Sequence, residues 1–340
     1  MWEQIRSNRI RSAVLVTLMA LILVIIGFFI GLALGSPIAG LIIALIVWGI
    51  MTLVGYFQGD SILLSMSHAK KISHDDNPRL FDVVEEMKIA SGLEKIPDIY
   101  IIDDPSPNAF ATGRDPKHYA VAITTGLLQM LNRDELQGVI GHEISHIKNR
   151  DVRLMSLLTV LLGTIVILAW YAWMFAFLGG MNAGGGSSRG RDRNRGGGGS
   201  YIQIFVMLAA LVLAILAPIF AQLIYFAVSR KREYLADASS ALYTRYPGAL
   251  ASALEKLAAY PGQLKTANQA TAPMYIVNPF KKKGMSMSDL TATHPPIAER
   301  IRILRAMGGE PSLSSYDQAY RQVKGKGGIM SPSTLSSPPG

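Results

Sequence analysis

Four long apolar runs alternate with polar and charged stretches along this 340-residue chain. Each run is long enough to cross a hydrocarbon core of about 30 Å, and none contains a charged residue. The runs cover Ser12–Gly35, Pro37–Phe57, Leu154–Leu178 and Tyr201–Val228. The pattern therefore predicts a membrane protein with four transmembrane helices that form two hairpins.

Shorter patterns outside these runs predict soluble elements. Helical periodicity with start and stop signals predicts helices, and short β-type runs bounded by proline predict strands. The predicted strands are Ile96–Asp103, Asn108–Gly113 and His118–Thr124. The predicted helices are Arg79–Ser91, Arg133–Arg150, Ser229–Tyr246, Gly248–Ala259 and His294–Met307. We therefore expect a mainly α-helical membrane protein that carries a small β-sheet.

The same patterns predict how the chain is divided. The segments are an N-terminal transmembrane hairpin (1–57), a first soluble half (58–153), a second transmembrane hairpin (154–228) with a Gly- and Arg-rich loop (179–200), a second soluble half (229–322) and a disordered tail (323–340). Because two spans separate the soluble halves, we expect both halves on the same side of the membrane.

Composition agrees with a membrane location and limits the chemistry. Half of the residues are hydrophobic, and Cys is absent, so disulfide and thiolate sites are excluded. We interpret the formal net charge of +9 as a membrane-orientation signal, because the Lys and Arg residues are scattered and no nucleic-acid-binding motif accompanies them. The positive-inside rule places the soluble halves in the cytoplasm, although four Arg residues in loop 179–200 oppose that orientation.

One motif indicates chemistry: the sequence from His142 to His146 reads His-Glu-Ile-Ser-His. Two His residues four positions apart lie on one face of a helix, where their imidazoles can bind one Zn²⁺. Glu143 can then reach a water on the metal. The alternative is an amphipathic helix with two unrelated His residues. A third ligand and an open fourth position would make this site a hydrolase.

The third ligand remains open among the other His residues and the carboxylates. Glu233 and Asp237 fit best, because residues four apart share one face of a helix. Glu233 could bind the metal, and Asp237 could accept a hydrogen bond from a ligand His; equally, both could be solvated charges paired with Arg or Lys. The two spans between His146 and Glu233 return both residues to one membrane surface. The other candidates are His68, His74, His118 and His294.

The chain also resembles a known family. The segments GHEISHIKNRD, REYLADASSA, PNAFATGR and THPPIAERI, with four spans, are similar to those of HtpX-type membrane zinc metalloproteases of the gluzincin class. The resemblance covers nearly the whole chain except the Arg/Gly loop and the tail. It implies an α+β zincin-like catalytic domain, one Zn²⁺ bound by His142, His146 and Glu233, and Glu143 as the general base.

The resemblance implies two further sets of site residues. His294 and Arg300 match catalytic residues that stabilise the transition state, although they could instead cap a helix and pair with Glu299. A second segment matches the substrate-binding strand, whose edge can pair with an extended peptide, although it could equally be an ordinary half-buried strand. Its residues are Asn108, Ala109, Phe110 and Ala111.

The implied function is an endopeptidase that removes damaged or misfolded membrane proteins during stress, in the cytoplasmic membrane of a prokaryote. Its partners would be the lipid bilayer and membrane-protein or unfolded polypeptide substrates, with other membrane proteases or chaperones as candidates. The alternatives are a prenyl-peptide (CAAX-type) protease, whose family has more spans, and a non-proteolytic membrane chaperone or scaffold. A transporter or channel is disfavoured because the apolar runs contain no charge.

Overall fold

Helices make up most of the chain in the computed structural model, with one small β-sheet among them. The structure describes residues 2–33, 35–183, 215–219, 230, 232–267, 271–279, 294–308, 311–325 and 327–330. In chain order the main elements are α1 (Trp2–Ala33), α2 (Pro37–Met66), β1 (Lys70–Lys71), α3 (Pro78–Ser91), β2 (Asp98–Ile102), β3 (Ala109–Thr112), β4 (Ala120–Thr124), α4 (Thr125–Met130), α5 (Arg133–Lys148), α6 (Asp151–Ala183), α7 (residues 232–244), α8 (Pro247–Ala259), α9 (Ile297–Ala306) and α10 (Leu313–Lys324). Short 3₁₀ turns cover His74–Asp76 and Ala272–Met274. The prediction of a mainly helical chain with a small sheet is confirmed.

Contacts divide the chain into two compact units. The first, which we call the apolar unit, comprises Arg11–Gly55 and Leu158–Tyr225. The second, which we call the mixed unit, comprises Met1–Ile10, Tyr56–Leu157 and Phe226–Gly340. The long helices α2 and α6 therefore each contribute residues to both units.

Close helix packing characterises the described part of the apolar unit. Gly35, with φ of 82°, lies in the turn between α1 and α2, as expected for a short hairpin. A Cβ on Gly31 would lie 2.7 Å from the Cα of Gly40, so the two helices approach each other through glycine. Large apolar side chains of α2 remain exposed, as is typical of a surface that contacts lipid. They include Ile38, Ile42, Ile46, Ile50 and Leu53.

Two helices in the described part of the chain, rather than the four predicted, are long and apolar enough to cross a membrane. They are α2 and the Asp151–Trp170 portion of α6. The first predicted span lies in α1, whose apolar stretch, Val16–Leu32, is shorter. Most of the fourth predicted span, Tyr201–Val228, and most of loop 179–200 lie outside the described residues.

A four-stranded sheet with the order β1–β2–β4–β3 lies in the mixed unit. Strand β4 is parallel to β2 and antiparallel to β3, and all five of its residues are buried, which explains its continuous apolar sequence. Strand β3 forms one edge of the sheet. The core joins the sheet to the helices through buried side chains such as Leu80, Val121, Ile140, Leu254 and Ile303.

Helix α5 has well-defined ends. It begins with a capping box in which the Asn132 side chain accepts from the Glu135 N–H at 2.9 Å, and the Glu135 carboxylate accepts from the Asn132 N–H at 2.9 Å. The helix ends at Lys148, two residues before the predicted Arg150. Arg150 adopts a left-handed φ of 59°, a rare conformation for a residue with a side chain. The chain therefore bends sharply before α6 begins at Asp151.

Gly138 brings α5 into close contact with α8. A Cβ on Gly138 would lie 2.8 Å from the backbone N of Leu250 and 2.9 Å from its Cα, so the helices would have to separate. We expect Gly138→Ala to lower the free energy of unfolding by about 1–3 kcal/mol, the usual cost of overpacking. Gly163→Ala is the matched control, because a Cβ there meets no other described part of the chain within 4 Å beyond the adjacent turns of its own helix. Thermal unfolding of the full chain in detergent measures both, and equal melting temperatures would contradict the close approach.

The C-terminal region is ordered further than the predicted boundary at residue 323. Helix α10, which was not among the predicted helices, continues to Lys324. The backbone N–H groups of Ile329 and Met330 donate to the buried carboxylate of Asp317, and Met330 is itself buried. Residues 331–340 of the predicted tail lie outside the described residues.

Candidate metal centre

Helices α5 and α7 bring three potential metal ligands together in the mixed unit. His142 Nε2 and His146 Nε2 lie 3.2 Å apart. The Glu233 carboxylate lies 3.6 Å from the first of these nitrogens and 3.4 Å from the second. In the part of the chain that the structure describes, these residues form the one group of three or more His or acidic side chains that could hold a metal. The open choice of a third ligand therefore narrows to Glu233.

The other predicted candidates lie elsewhere or farther away. His68 and His74 are exposed, and His118 Nδ1 contacts Asp115 at 2.7 Å. His294 is buried, and its Nε2 lies 3.9 Å from Glu233 Oε2. His294 is therefore near the three ligands without belonging to their group.

Asp237 lies behind His142, as the helical spacing from Glu233 predicted. Its Oδ1 lies 3.0 Å from His142 Nδ1, on the opposite side of the imidazole from the nitrogen that faces Glu233. Arg300 on α9 donates to both Asp237 oxygens, with bonds of 2.8 and 2.6 Å. Both side chains are fully or almost fully buried. This arrangement fixes the orientation of the His142 ring.

Arg300 contacts further groups besides Asp237, and its catalytic role stays a prediction. Its Nη1 donates to the Ile276 carbonyl at 2.9 Å and also lies 3.4 Å from Glu233 Oε2. Arg300 is only 1% exposed, and these contacts connect it to the proposed ligand Glu233; it also lines a pocket together with His294. This mainly apolar pocket also contains Ile297 and Leu257.

Asp151 and Arg232 also lie beside the metal group, where the sequence patterns had not placed them. Asp151 Oδ2 lies 3.4 Å from His146 Nδ1, and its Oδ1 lies 2.9 Å from Arg232 Nη1. The sequence signals that could have indicated these two residues are the position of Asp151 just after the α5 helix and that of Arg232 directly before Glu233.

Unpaired carboxylate oxygens at Glu143 and Glu233 show whether the site suits a cation. Both carboxylate oxygens of Glu143, and Oε2 of Glu233, are buried without a hydrogen-bond partner among the described residues. Leaving carboxylate oxygens buried and unpaired is costly, so a cation and its water would satisfy them. With two imidazoles and one carboxylate as donors, the residues fit a divalent metal of the zinc type.

The protonation equilibria follow from burial and neighbouring charges. Burial raises the pKa of Glu143, although the two imidazoles act in the opposite direction. Burial also opposes ionisation of Glu233, but the surrounding imidazoles and Arg300 outweigh it and hold the pKa of Glu233 well below its usual value. Burial would lower the pKa of His146, but Asp151 and Glu233 outweigh it and raise that pKa to about 10. A cation would therefore compete with a proton for His146.

The predicted substrate strand, β3, reaches this site at one position. Thr124 N–H donates to the Asn108 carbonyl, so the backbone groups of Asn108 face β4. Because successive residues of an antiparallel strand alternate, the backbone groups of Ala109 and Ala111 point away from β4, toward the open edge of the sheet. Ala109 already accepts from Ile276 N–H at 3.0 Å. A pocket contains Ala111 together with the charged groups of the site. Its lining is Ala111, Glu143, His146, Asp151, Val152, Met155, Arg232, Glu233 and Met274.

The other strand residues are engaged with the protein itself. The Asn108 side chain donates to the Val277 carbonyl at 3.1 Å, and the Phe110 ring packs against Tyr275 in an edge-to-face contact. Of the four predicted strand residues, Ala111 is therefore the one that borders the pocket with Glu143.

Comparisons with known proteins agree with this geometry. The profile described as "Peptidase family M48" matches residues 74–308. "Protease HtpX homolog" from Dictyoglomus turgidum is 44% identical over 311 residues, which are 90% of this chain and 95% of that protein. "Protease HtpX homolog" from Thermococcus sibiricus is 42% identical and covers 87% of this chain and 94% of its own length.

A solved structure, "Crystal Structure of S. mikatae Ste24p", is similar at 20% identity with a TM-score of 0.45, covering 89% of this chain and 67% of that one. The family match spans the residues that hold both halves of the metal centre, and the relatives are similar along almost the whole chain. The chain therefore belongs to peptidase family M48 and is a metalloprotease.

Proposed function

We propose that this chain is a zinc-dependent endopeptidase of the cytoplasmic membrane of a prokaryote, with its active site on the cytoplasmic side. The observation that carries the proposal is the group formed by His142, His146 and Glu233, with the buried Glu143 beside it. Zn²⁺ bound by the three ligands would polarise the scissile carbonyl and lower the pKa of a water. Because the protein would supply three ligands, water or substrate could complete the coordination, as expected for a catalytic zinc site.

Glu143 moves the proton in this reaction. Its carboxylate accepts the proton of the attacking water and then transfers it to the leaving nitrogen of the peptide. Burial raises the pKa of Glu143, which makes it a stronger proton acceptor than a solvated carboxylate. Asp237, held by Arg300, keeps the His142 ring oriented throughout.

Backbone groups of β3 would align the substrate. Ala111 lies on the edge strand and lines the pocket that contains Glu143, so an extended peptide that pairs with Ala111 would pass the site. Asn108 and Ala109 would act indirectly, by holding Val277 and Ile276 beside the strand.

Membrane proteins and unfolded polypeptides are the proposed substrates. The residue that begins α6, Asp151, lies against the ligand His146, so the site is close to one end of a candidate span. Basic residues around the ends of these helices favour the cytoplasmic side by the positive-inside rule. They include Lys70, Lys71, Lys148, Arg150 and Arg153. A site at that position would meet loops, tails and partly extracted segments of membrane proteins.

Cleavage assays with three substrates test this proposal. The full chain, purified in detergent, would be given an unfolded membrane protein, an unfolded soluble protein, and a peptide with or without a farnesyl group. We expect cleavage of both proteins, loss of cleavage with a zinc chelator, recovery with added Zn²⁺, and no dependence on the farnesyl group. Cleavage restricted to the farnesylated peptide would indicate a prenyl-peptide protease. Binding of unfolded protein without cleavage would indicate a chaperone or scaffold.

A further inference from the structure

A second Asp–Arg pair lies behind His146, with a longer contact to the imidazole than the first pair makes to His142. Asp151 presents Oδ2 to His146 Nδ1 at 3.4 Å and Oδ1 to Arg232 Nη1 at 2.9 Å. Asp151 and Arg232 are both buried. We propose that they are positioning residues for His146: Asp151 accepts the hydrogen of Nδ1, and Arg232 holds the Asp151 carboxylate in place. This inference rests on the metal site proposed above.

The backbone between α5 and α6 places Asp151 for this role. In an unbroken helix, residue 151 would lie about 140° around the axis from His146, since each residue turns the helix by about 100°. The helix instead ends at Lys148, and Arg150 takes a left-handed φ of 59°. Helix α6 then begins at Asp151. The break allows the carboxylate to face the outer nitrogen of a ring five residues earlier.

The two oxygens of the Asp151 carboxylate contact different partners, and this has a chemical consequence. Because Oδ1 faces Arg232, Oδ2 is left to accept a hydrogen from the His146 ring. A hydrogen bond at Nδ1 fixes the tautomer of a His and leaves the Nε2 lone pair for a cation. Nε2 of His146 is the atom that faces Glu233 Oε1 at 3.4 Å. Arg232 directly precedes Glu233. One turn of α7 therefore supplies both a proposed metal ligand, Glu233, and the residue that holds Asp151 in place.

Metal affinity of the full chain tests the inference without relying on activity. The protein, purified in detergent and stripped of metal, would be titrated with Zn²⁺ in competition with a chromogenic chelator. We expect Asp151→Ala to weaken Zn²⁺ binding about 100-fold and Asp151→Asn about tenfold, the range typical of lost outer hydrogen bonds to a ligand. Asp151→Glu should recover part of the affinity. The absorption bands of bound Co²⁺ should also shift in Asp151→Asn.

The proposed role of Arg232 is tested by combining its substitution with one at Asp151 and comparing the Zn²⁺ affinities. Arg232→Gln should weaken Zn²⁺ binding by less than Asp151→Ala. The double variant with Asp151→Ala should bind no more weakly than Asp151→Ala alone, because residues that act through one another are not additive. Additive losses would overturn the anchoring role of Arg232.

Asp317→Asn is the matched control, since Asp317 is a buried, Arg-paired carboxylate away from the site. It should lower the melting temperature and leave Zn²⁺ affinity unchanged. An equal loss of affinity in this control would overturn the inference, as would wild-type affinity and Co²⁺ bands in the Asp151 variants. If Asp151→Ala does not fold, Asp151→Asn and Arg232→Gln decide between these outcomes. Failure of the wild-type chain to bind Zn²⁺ would instead overturn the proposed function.

Discussion

Glu143→Gln is expected to reduce peptide cleavage by about 10²- to 10⁴-fold while the protein retains its metal. Glutamine has nearly the same shape as glutamate but cannot accept the proton of the attacking water. Glu143 is buried beside the ligands and has no hydrogen-bond partner in the described chain, so the change removes no visible structural contact. Initial rates on an unfolded protein substrate, with zinc content measured on the same samples, check the prediction.

The matched control for Glu143 is Glu135→Gln on the same helix. Glu135 is also buried, but it caps the start of α5 and pairs with Lys256 at 2.6 Å. We expect this variant to cleave substrate at close to the wild-type rate, with a lower melting temperature. Undiminished cleavage by Glu143→Gln would refute the assignment of the general base.

Glu233→Ala is expected to produce the largest loss of metal. It removes one of three ligands, so the loss of Zn²⁺ affinity should exceed the 10- to 100-fold typical of losing an outer partner of a ligand. The change also leaves Arg300, which lies 3.4 Å from Glu233 Oε2, facing the site without that carboxylate. Metal content after dialysis against a fixed concentration of free Zn²⁺ measures the effect.

Asp317→Ala serves as the control for Glu233→Ala, because it also removes a buried carboxylate. Asp317 binds Arg321 and the backbone N–H groups of Ile329 and Met330, all in the C-terminal region. Its metal content should equal that of the wild type. Full zinc content in Glu233→Ala would remove Glu233 from the ligand set.

Local sequence signals predicted most of the mixed unit. The α5 helix was predicted from its capping residues and periodicity, and its start at Arg133 is confirmed. Three of the four strands were predicted within a few residues of their ends because proline and glycine bound them, whereas the two-residue β1 was not predicted. Helix α10 was missed. Its sequence does carry the signals of a helix, a Ser312 N-cap and a Gly325 C-cap, and its packing shows that Tyr316 and Ala319 are buried in the core.

Spacing also explains which parts of the site could be predicted. His142 and His146 share a helix face, as do Glu233 and Asp237, so each pair was visible in the sequence. The bond from Arg300 to Asp237 joins residues 63 positions apart and depends on tertiary packing. Asp151 was missed for a different reason, since its position depends on the left-handed backbone at Arg150, which sequence periodicity does not reveal.

Zinc K-edge X-ray absorption on the full chain, loaded with one Zn²⁺ in detergent, tests the metal centre most directly. Ligation by His142, His146 and Glu233 predicts two imidazole nitrogens and otherwise oxygen ligands, all at about 2.0–2.2 Å. A spectrum with three imidazoles would bring in another residue, such as His294, and would contradict the assignment of Glu233. A spectrum without imidazole scattering would contradict the metal centre as a whole.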